Sequence, residues 1–205
     1  MVAILKRHGF KAAVCVLLIA LAYSVYSWVS QDGPPLPTLK QAPAFTLQNL
    51  DGTPTGLEQT DGKVRLVEFL FTSCPDICPM TTYNMVKLQN QLKQTGLWGD
   101  KVQFLSITFD PQRDTPEVFK RYGDKMGMDY TGWTLLTGTE KETAEVARSF
   151  GVLVQKMPDG SFVHTVTSLF LIDQQGKIRK VFPMGEEMNN EDVYKTIRQL
   201  AGSSS

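Results

Sequence analysis

The sequence predicts an α/β fold, a mixed sheet flanked by helices, preceded by an N-terminal transmembrane helix. Three observations predict it. Two apolar, β-rich runs, 64–71 and 101–110, alternate with helical patterns, and strands joined by helices make a parallel sheet. Two further extended runs, 161–173 and 176–184, meet at Asp173-Gln-Gln-Gly176, a hairpin turn that adds antiparallel strands. An uncharged run of 18 residues, Ala12 to Val29, opens the chain, close to the ~20 that a spanning helix needs. At 205 residues, one domain plus a short extra segment is expected. Basic and acidic residues balance at 21 each, which leaves no electrostatic footprint for nucleic acid. Three cysteines are too few for a disulfide-stapled mini-fold.

Lys6, Arg7 and Lys11 precede the uncharged run and no basic residue follows it closely, so the N-terminus is expected in the cytoplasm and the rest outside it. Residues 1–30 thus read as a single-pass anchor in the cell membrane, with Tyr26 and Trp28 at the far interface. A cleaved signal peptide is the alternative, through Ala20-Leu21-Ala22, but the apolar run continues past that site. Cys15 lies inside the run and reads as an apolar filler. Residues 31–43 carry Pro34, Pro35, Pro37 and Pro43 and read as a semi-rigid spacer. It holds the domain, 44–201, on the extracytoplasmic side, where a dithiol is readily oxidised.

Within the domain, Asp51-Gly52 marks a turn between two short extended pieces. "VRLVEFLF", 64–71, is a continuous apolar run and reads as a buried strand. A helix follows from near Cys78, with Gly96 as its stop. "KVQFLSITFD", 101–110, is the second strand. The next helix starts at "DTPEV", with Asp114 as its cap, Pro116 in the first turn and Glu117 three residues on. "WTLLTG" is short and extended, and "EKETAEVARSFGV" is a helix ending at Gly151. After the hairpin, a last helix is capped by Asn189 or Asn190, and residues 202–205 form a tail. This order, with its mixed sheet, suits a thioredoxin-like fold.

The chemistry concentrates in "FTSCPDICPM", 71–80. Cys74 and Cys78 fall in a strand-to-helix turn at the carboxyl end of a parallel strand, where ligands gather. Free amides and the positive helix end there favour thiolate over thiol. Pro75 and Pro79 stiffen the turn. Two residues four apart share a helix face, so the sulfurs can pair as a disulfide or bind one soft ion. A structural zinc site wants four ligands, and no second cysteine pair lies outside the anchor. Cu(I), content with two or three, suits this inventory better. Of the two histidines, His8 is on the wrong side of the anchor, which leaves His164. On spacing alone His164 reads equally as a surface or capping residue. Asp110 ends the second strand, as an auxiliary group at the site or as a turn former before Pro111. Asp76 reads as a turn residue, and the scattered methionines as core. Glu68, in the first strand, has no assigned role.

"FTSCPDICPM", "SITFDPQRDTPEVFKRYG", "WTLLTG" and His164 ahead of "LFLID" resemble the Sco/SenC proteins over roughly residues 43 to 201. These are membrane-anchored, thioredoxin-like copper-binding proteins that help assemble the binuclear copper site of cytochrome c oxidase subunit II. The resemblance implies a copper ion, Cu(I) or Cu(II), on Cys74, Cys78 and His164, with oxidase subunit II as the partner. The segment from His164 to "LFLID" is about one residue longer than the family pattern, an excess that a β-bulge absorbs. The resemblance also implies either of two roles. One is a metallochaperone that passes copper to the oxidase. The other is a thiol-disulfide oxidoreductase, with Cys74 and Cys78 as its redox-active pair, that keeps the oxidase's copper-site cysteines reduced. A peroxidase shares the fold but wants one activated cysteine in a Thr-x-x-Cys setting. Here Thr72 stands only two residues before Cys74.

Overall fold

The computed structural model describes residues 11, 13–24, 35–157, 162–164 and 168–202. They divide into two compact units, Met1–Pro35 and Leu36–Ser205. In the first, residues 13–24 are helical, and the apolar side chains of Leu17, Leu18, Ile19 and Leu21 are exposed. Among the described residues no helix is long and apolar enough to cross a membrane. Ala12 and the run from Val25 to Val29, part of the expected spanning helix, lie outside the described residues.

The second unit carries β1 (Lys40–Gln41), β2 (Thr46–Asn49), β3 (Pro54–Gly56), β4 (Val64–Leu70), α1 (Ile77–Gln94), β5 (Val102–Thr108) and α2 (Pro116–Met126). It continues through β6 (Trp133–Thr137), α3 (Glu140–Ser149), β7 (Val154–Lys156), β8 (Phe162–His164), β9 (Ser168–Ile172), β10 (Lys177–Pro183) and α4 (Asn190–Gly202). Eight strands form one sheet in the order β1-β10-β9-β4-β5-β6-β2-β3, and β7 and β8 pair as a separate ribbon. β4, β5 and β6 are parallel to one another, so α1 and α2 serve as the crossovers that parallel strands require. β9 and β10 are antiparallel and turn at Gly176, whose φ of 77° is the left-handed value a glycine tolerates. The mixed thioredoxin-like sheet expected from the element order is the one observed.

All seven residues of β4 are buried. That explains why five of its seven residues are apolar: both faces are covered, so no polar alternation is required, and the two charged residues, Arg65 and Glu68, are buried with the rest. Met85, Leu88 and Leu92 of α1 are fully buried at helical spacing, which sets the face that α1 presents to the sheet. α3 carries a complete capping box between Thr139 and Glu142. Asn189 caps α4, accepting from the Asp192 N–H at 3.1 Å.

Three expectations shift. Asp114 is not the cap of α2. Thr115 takes that place, accepting from the Val118 N–H with Pro116 directly behind it, and the Asp114 side chain is committed elsewhere. The stretch expected as spacer, 31–43, reaches into the sheet: Lys40 and Gln41 pair with Ile178 and Lys177, and the Arg179 guanidinium donates to the carbonyls of Leu36 and Pro37. Gly202 closes α4, and residues 203–205 lie outside the described residues. A register irregularity falls in β10 at Ile178–Lys180. The bulge expected after His164 would fall on residues 165–167, which lie outside the described residues.

Candidate metal centre

β4 and β5 end side by side, with the Phe109 N–H donating to the Leu70 carbonyl at 3.1 Å and the rings of Phe71 and Phe109 5.1 Å apart. Beyond β4 the chain turns at once: the Cys74 N–H donates to the Phe71 carbonyl at 3.2 Å. α1 then begins at Ile77, so Cys78 lies in its first turn and Cys74 in the loop before it. This is the strand-to-helix turn that the sequence predicts.

Cys74 and Cys78 are not disulfide-bonded. They are 9% and 1% exposed, so both are buried, Cys78 more completely than Cys74. The two side chains are joined by a hydrogen bond. That bond, followed by burial, pushes the Cys78 thiol far above the usual thiol range; the Phe71 backbone opposes the shift, and the charges of Cys74 and Glu68 add to it. The helix start therefore does not by itself make a thiolate of Cys78: a neighbouring sulfur and lost water outweigh the amide field. Cys78 is thus held as a thiol, and a soft cation would have to displace its proton.

Two residues without a role in the sequence reading surround this pair. Glu68, in β4, is completely buried. Its Oε1 accepts the Ser106 hydroxyl, which in turn accepts the Trp133 indole N–H at 2.8 Å. Burial raises the Glu68 carboxyl to about 7, and the Ser106 bond offsets part of that. Tyr122, from α2, shares a 2.8 Å hydrogen bond with the Thr82 hydroxyl. Burial raises its phenol, with further pushes from Glu68, Cys78 and Cys74. A glutamate inside an apolar strand was a visible signal of something unusual. For Tyr122 the sequence carries none, since its place depends on how α2 packs.

Asp110 lies just beyond β5 and is fully buried. Its carbonyl accepts the N–H groups of Arg113 and Asp114, and its Oδ2 lies 3.6 Å from an Arg113 guanidinium nitrogen. The turn-forming role is thus present. His164 ends β8 and stands opposite Val154 in the β7–β8 ribbon; its side chain lies outside the described part. Among the described residues, no three His, Cys, Asp or Glu side chains form a group that could hold a metal. The structure brings Cys74 and Cys78 together and does not add Asp110 to them. Asp76, between the cysteines, precedes α1 without a side-chain cap bond. Two methionines read as core, Met80 and Met184, line one cavity of about 360 Å³ with Asp76, Ile77 and Glu187. Met80 is 37% exposed.

The donor set is two adjacent, reduced, largely dehydrated sulfurs. It suits a soft monovalent or borderline ion and disfavours hard oxygen-seeking ones.

Comparison with known proteins places this geometry. The chain is 31% identical over 159 residues to a SCO1 protein homolog of Bacillus subtilis, covering 77% of this chain and 81% of that one. Its structure resembles that of BsSco, described as a member of the Sco family of cytochrome c oxidase assembly proteins, in which a disulfide switch is identified. The TM-score is 0.72, with 28% identity over 83% of this chain and all of that one. It also resembles yeast Sco1 with copper bound, with a TM-score of 0.66 and 26% identity over 82% of this chain and 91% of that one. A family model, SCO1/SenC, matches residues 35–202. With nearly all of the second unit inside that match, the chain belongs to the SCO1/SenC family.

Proposed function

We propose that this protein binds copper through Cys74, Cys78 and His164 and delivers it to cytochrome c oxidase, at the binuclear copper site of subunit II. The observation that carries the reading is the contact between two reduced, buried thiols at the mouth of a strand-to-helix turn. It is supported by the copper-bound state of yeast Sco1 and by the role of BsSco's family in oxidase assembly. The uncharged run from Ala12 to Val29, with Leu17, Leu18, Ile19 and Leu21 exposed within it, supports a single-pass anchor in the cell membrane and an extracytoplasmic domain.

Copper is cargo in this reading. Thiolates are the ligands, so binding displaces the thiol protons and affinity falls as pH falls. Cys78 is fixed by its helix, and Cys74, the less buried of the two, meets the acceptor first. A competing thiolate or imidazole of the partner then takes the ion by ligand exchange. Titration of copper into the reduced full chain in detergent tests this. Wild type should take up one equivalent, Cys74→Ser and Cys78→Ser should lose it, and His164→Ala should shift the Cu(II)–thiolate absorption. A His164→Ala protein with unchanged affinity and spectrum would remove His164 from the site.

A second reading is favoured by the unequal exposure of the two cysteines. The Cys74 thiolate attacks a partner disulfide and forms a mixed disulfide, releasing one partner thiolate. Cys78 then loses its proton and attacks Cys74, releasing the second partner thiolate and leaving a Cys74–Cys78 disulfide. A Cys78→Ser protein should trap the mixed disulfide.

A further inference from the structure

We propose that Asp114 is the positioning residue of the dithiol, holding the Cys74 loop in the open, reduced geometry through Thr72. The inference rests on reading Cys74 and Cys78 as a working pair. The Asp114 side chain is fully buried and does not cap α2, because Thr115 does. Its carboxyl instead receives Thr72 twice. The Thr72 N–H donates to Oδ2 at 3.0 Å and less closely to Oδ1 at 3.3 Å, and the Thr72 hydroxyl donates to Oδ1 at 2.5 Å. From the other side the Thr108 hydroxyl donates to Oδ2 at 2.5 Å, and Thr108 itself accepts the Asp110 N–H at 3.0 Å. One carboxyl therefore ties the loop after β4 to the end of β5.

The position of this tie matters because the two cysteines differ in what can move. Cys78 belongs to α1, an 18-residue helix packed on the sheet. Cys74 belongs to the loop, two residues past Thr72. A disulfide requires the sulfurs to close to about 2.0 Å. A single ion between them requires them to stay apart. With Cys78 fixed, the displacement falls on the loop, and Asp114 holds the loop at its base. The bond through the Thr72 hydroxyl stabilises the dithiol over the disulfide, so the same contact biases the pair towards metal and away from oxidation.

The reaction that reads this is oxidation by glutathione disulfide: two thiols lose two electrons and two protons, one S–S bond forms in the protein, and one glutathione disulfide becomes two glutathione thiols. In the full chain in detergent, Thr72→Val removes the hydroxyl bond and keeps the size. Its oxidation equilibrium constant should rise by about three- to tenfold over wild type, and tenfold corresponds to about 30 mV. Thr72→Ser, which keeps the hydroxyl, should stay within about twofold of wild type. Alkylation of Cys74 in the reduced proteins is the second readout and needs no disulfide: Thr72→Val should react faster and Thr72→Ser as wild type does. Asp114→Asn, which removes one acceptor oxygen, should follow Thr72→Val in both. If Thr72→Val lowers the thermal midpoint but leaves both the equilibrium constant and the alkylation rate unchanged, Asp114 is only a structural tie and the proposal fails. Copper titration of wild type alone separates that failure from failure of the copper reading.

Discussion

Glu68 accepts the Ser106 hydroxyl on Oε1, while its Oε2, equally buried, has no hydrogen-bond partner among the described residues. The carboxyl is thus half-satisfied in a site without water access, a costly arrangement for an ion and a tolerable one for a neutral acid. Its pKa is accordingly raised from 4.5 to about 7. The folded protein binds this proton more tightly than the unfolded chain does, so stability is full below the unfolded value and is lost as pH rises through about 7. The span allows a loss of roughly 3 kcal/mol at most. Denaturant unfolding of the reduced protein at pH 5 and pH 8 should show wild type weaker at pH 8. Glu68→Gln should flatten that difference. An unchanged pH dependence in Glu68→Gln would place the loss elsewhere.

The fold was legible because its signals are local. A mostly apolar β4 and the Asp173–Gly176 turn declare a central parallel strand and an antiparallel hairpin in any context. The dithiol turn was legible for the same reason: two cysteines, two prolines and the end of a strand lie within ten residues. What escaped depends on contacts across the sequence. Asp114 looked like a cap because a capping position and a loop-binding position differ by one residue, and only the approach of Thr72, from 42 positions away, decides between them. Tyr122 reaches the site through α2 packing. Glu68 was visible as an anomaly, but its consequence depends on Ser106 and Trp133, from two neighbouring strands.

Reagents should distinguish the two cysteines. Cys74 is 9% exposed and Cys78 1%, with the Cys78 thiol also raised by its neighbour and by burial. Alkylation proceeds through the thiolate and needs access. Iodoacetamide on the reduced, folded chain should therefore modify Cys74 at least about tenfold faster than Cys78, as read by peptide mass spectrometry. Equal rates would mean that the loop opens far enough to expose both.

Arg179 should control where the folded unit begins. Its guanidinium donates to the carbonyls of Leu36 and Pro37 and to Asp173 Oδ2 at 2.8 Å, tying the incoming chain to the β9–β10 hairpin. Arg179→Ala leaves the nearly buried Asp173 carboxylate without this partner, for a cost of about 1–3 kcal/mol. The segment around residues 36–41 should become cleavable by protease at conditions where wild type is resistant. If cleavage stays as in wild type, the β1–β10 pairing alone is sufficient to hold it.

Gly185 should matter to the site although it carries no chemistry. It adopts φ of 70°, and a Cβ added there would meet Ile77 Cγ1 at 2.9 Å. Its N–H donates to the Thr81 hydroxyl at 2.8 Å, and its carbonyl accepts from Asn84 at 3.2 Å. The turn after β10 is thereby pressed onto the first turns of α1, against the residue that immediately precedes Cys78. Gly185→Ala combines backbone strain with a steric push, and should cost about 1–3 kcal/mol. The push falls on Ile77, so the damage should not stop at stability. Cys78 should become more reactive to alkylation, because the helix start that seals it has moved. A destabilised Gly185→Ala protein with wild-type Cys78 reactivity would show that α1 absorbs the strain by shifting the turn instead of its own first residues.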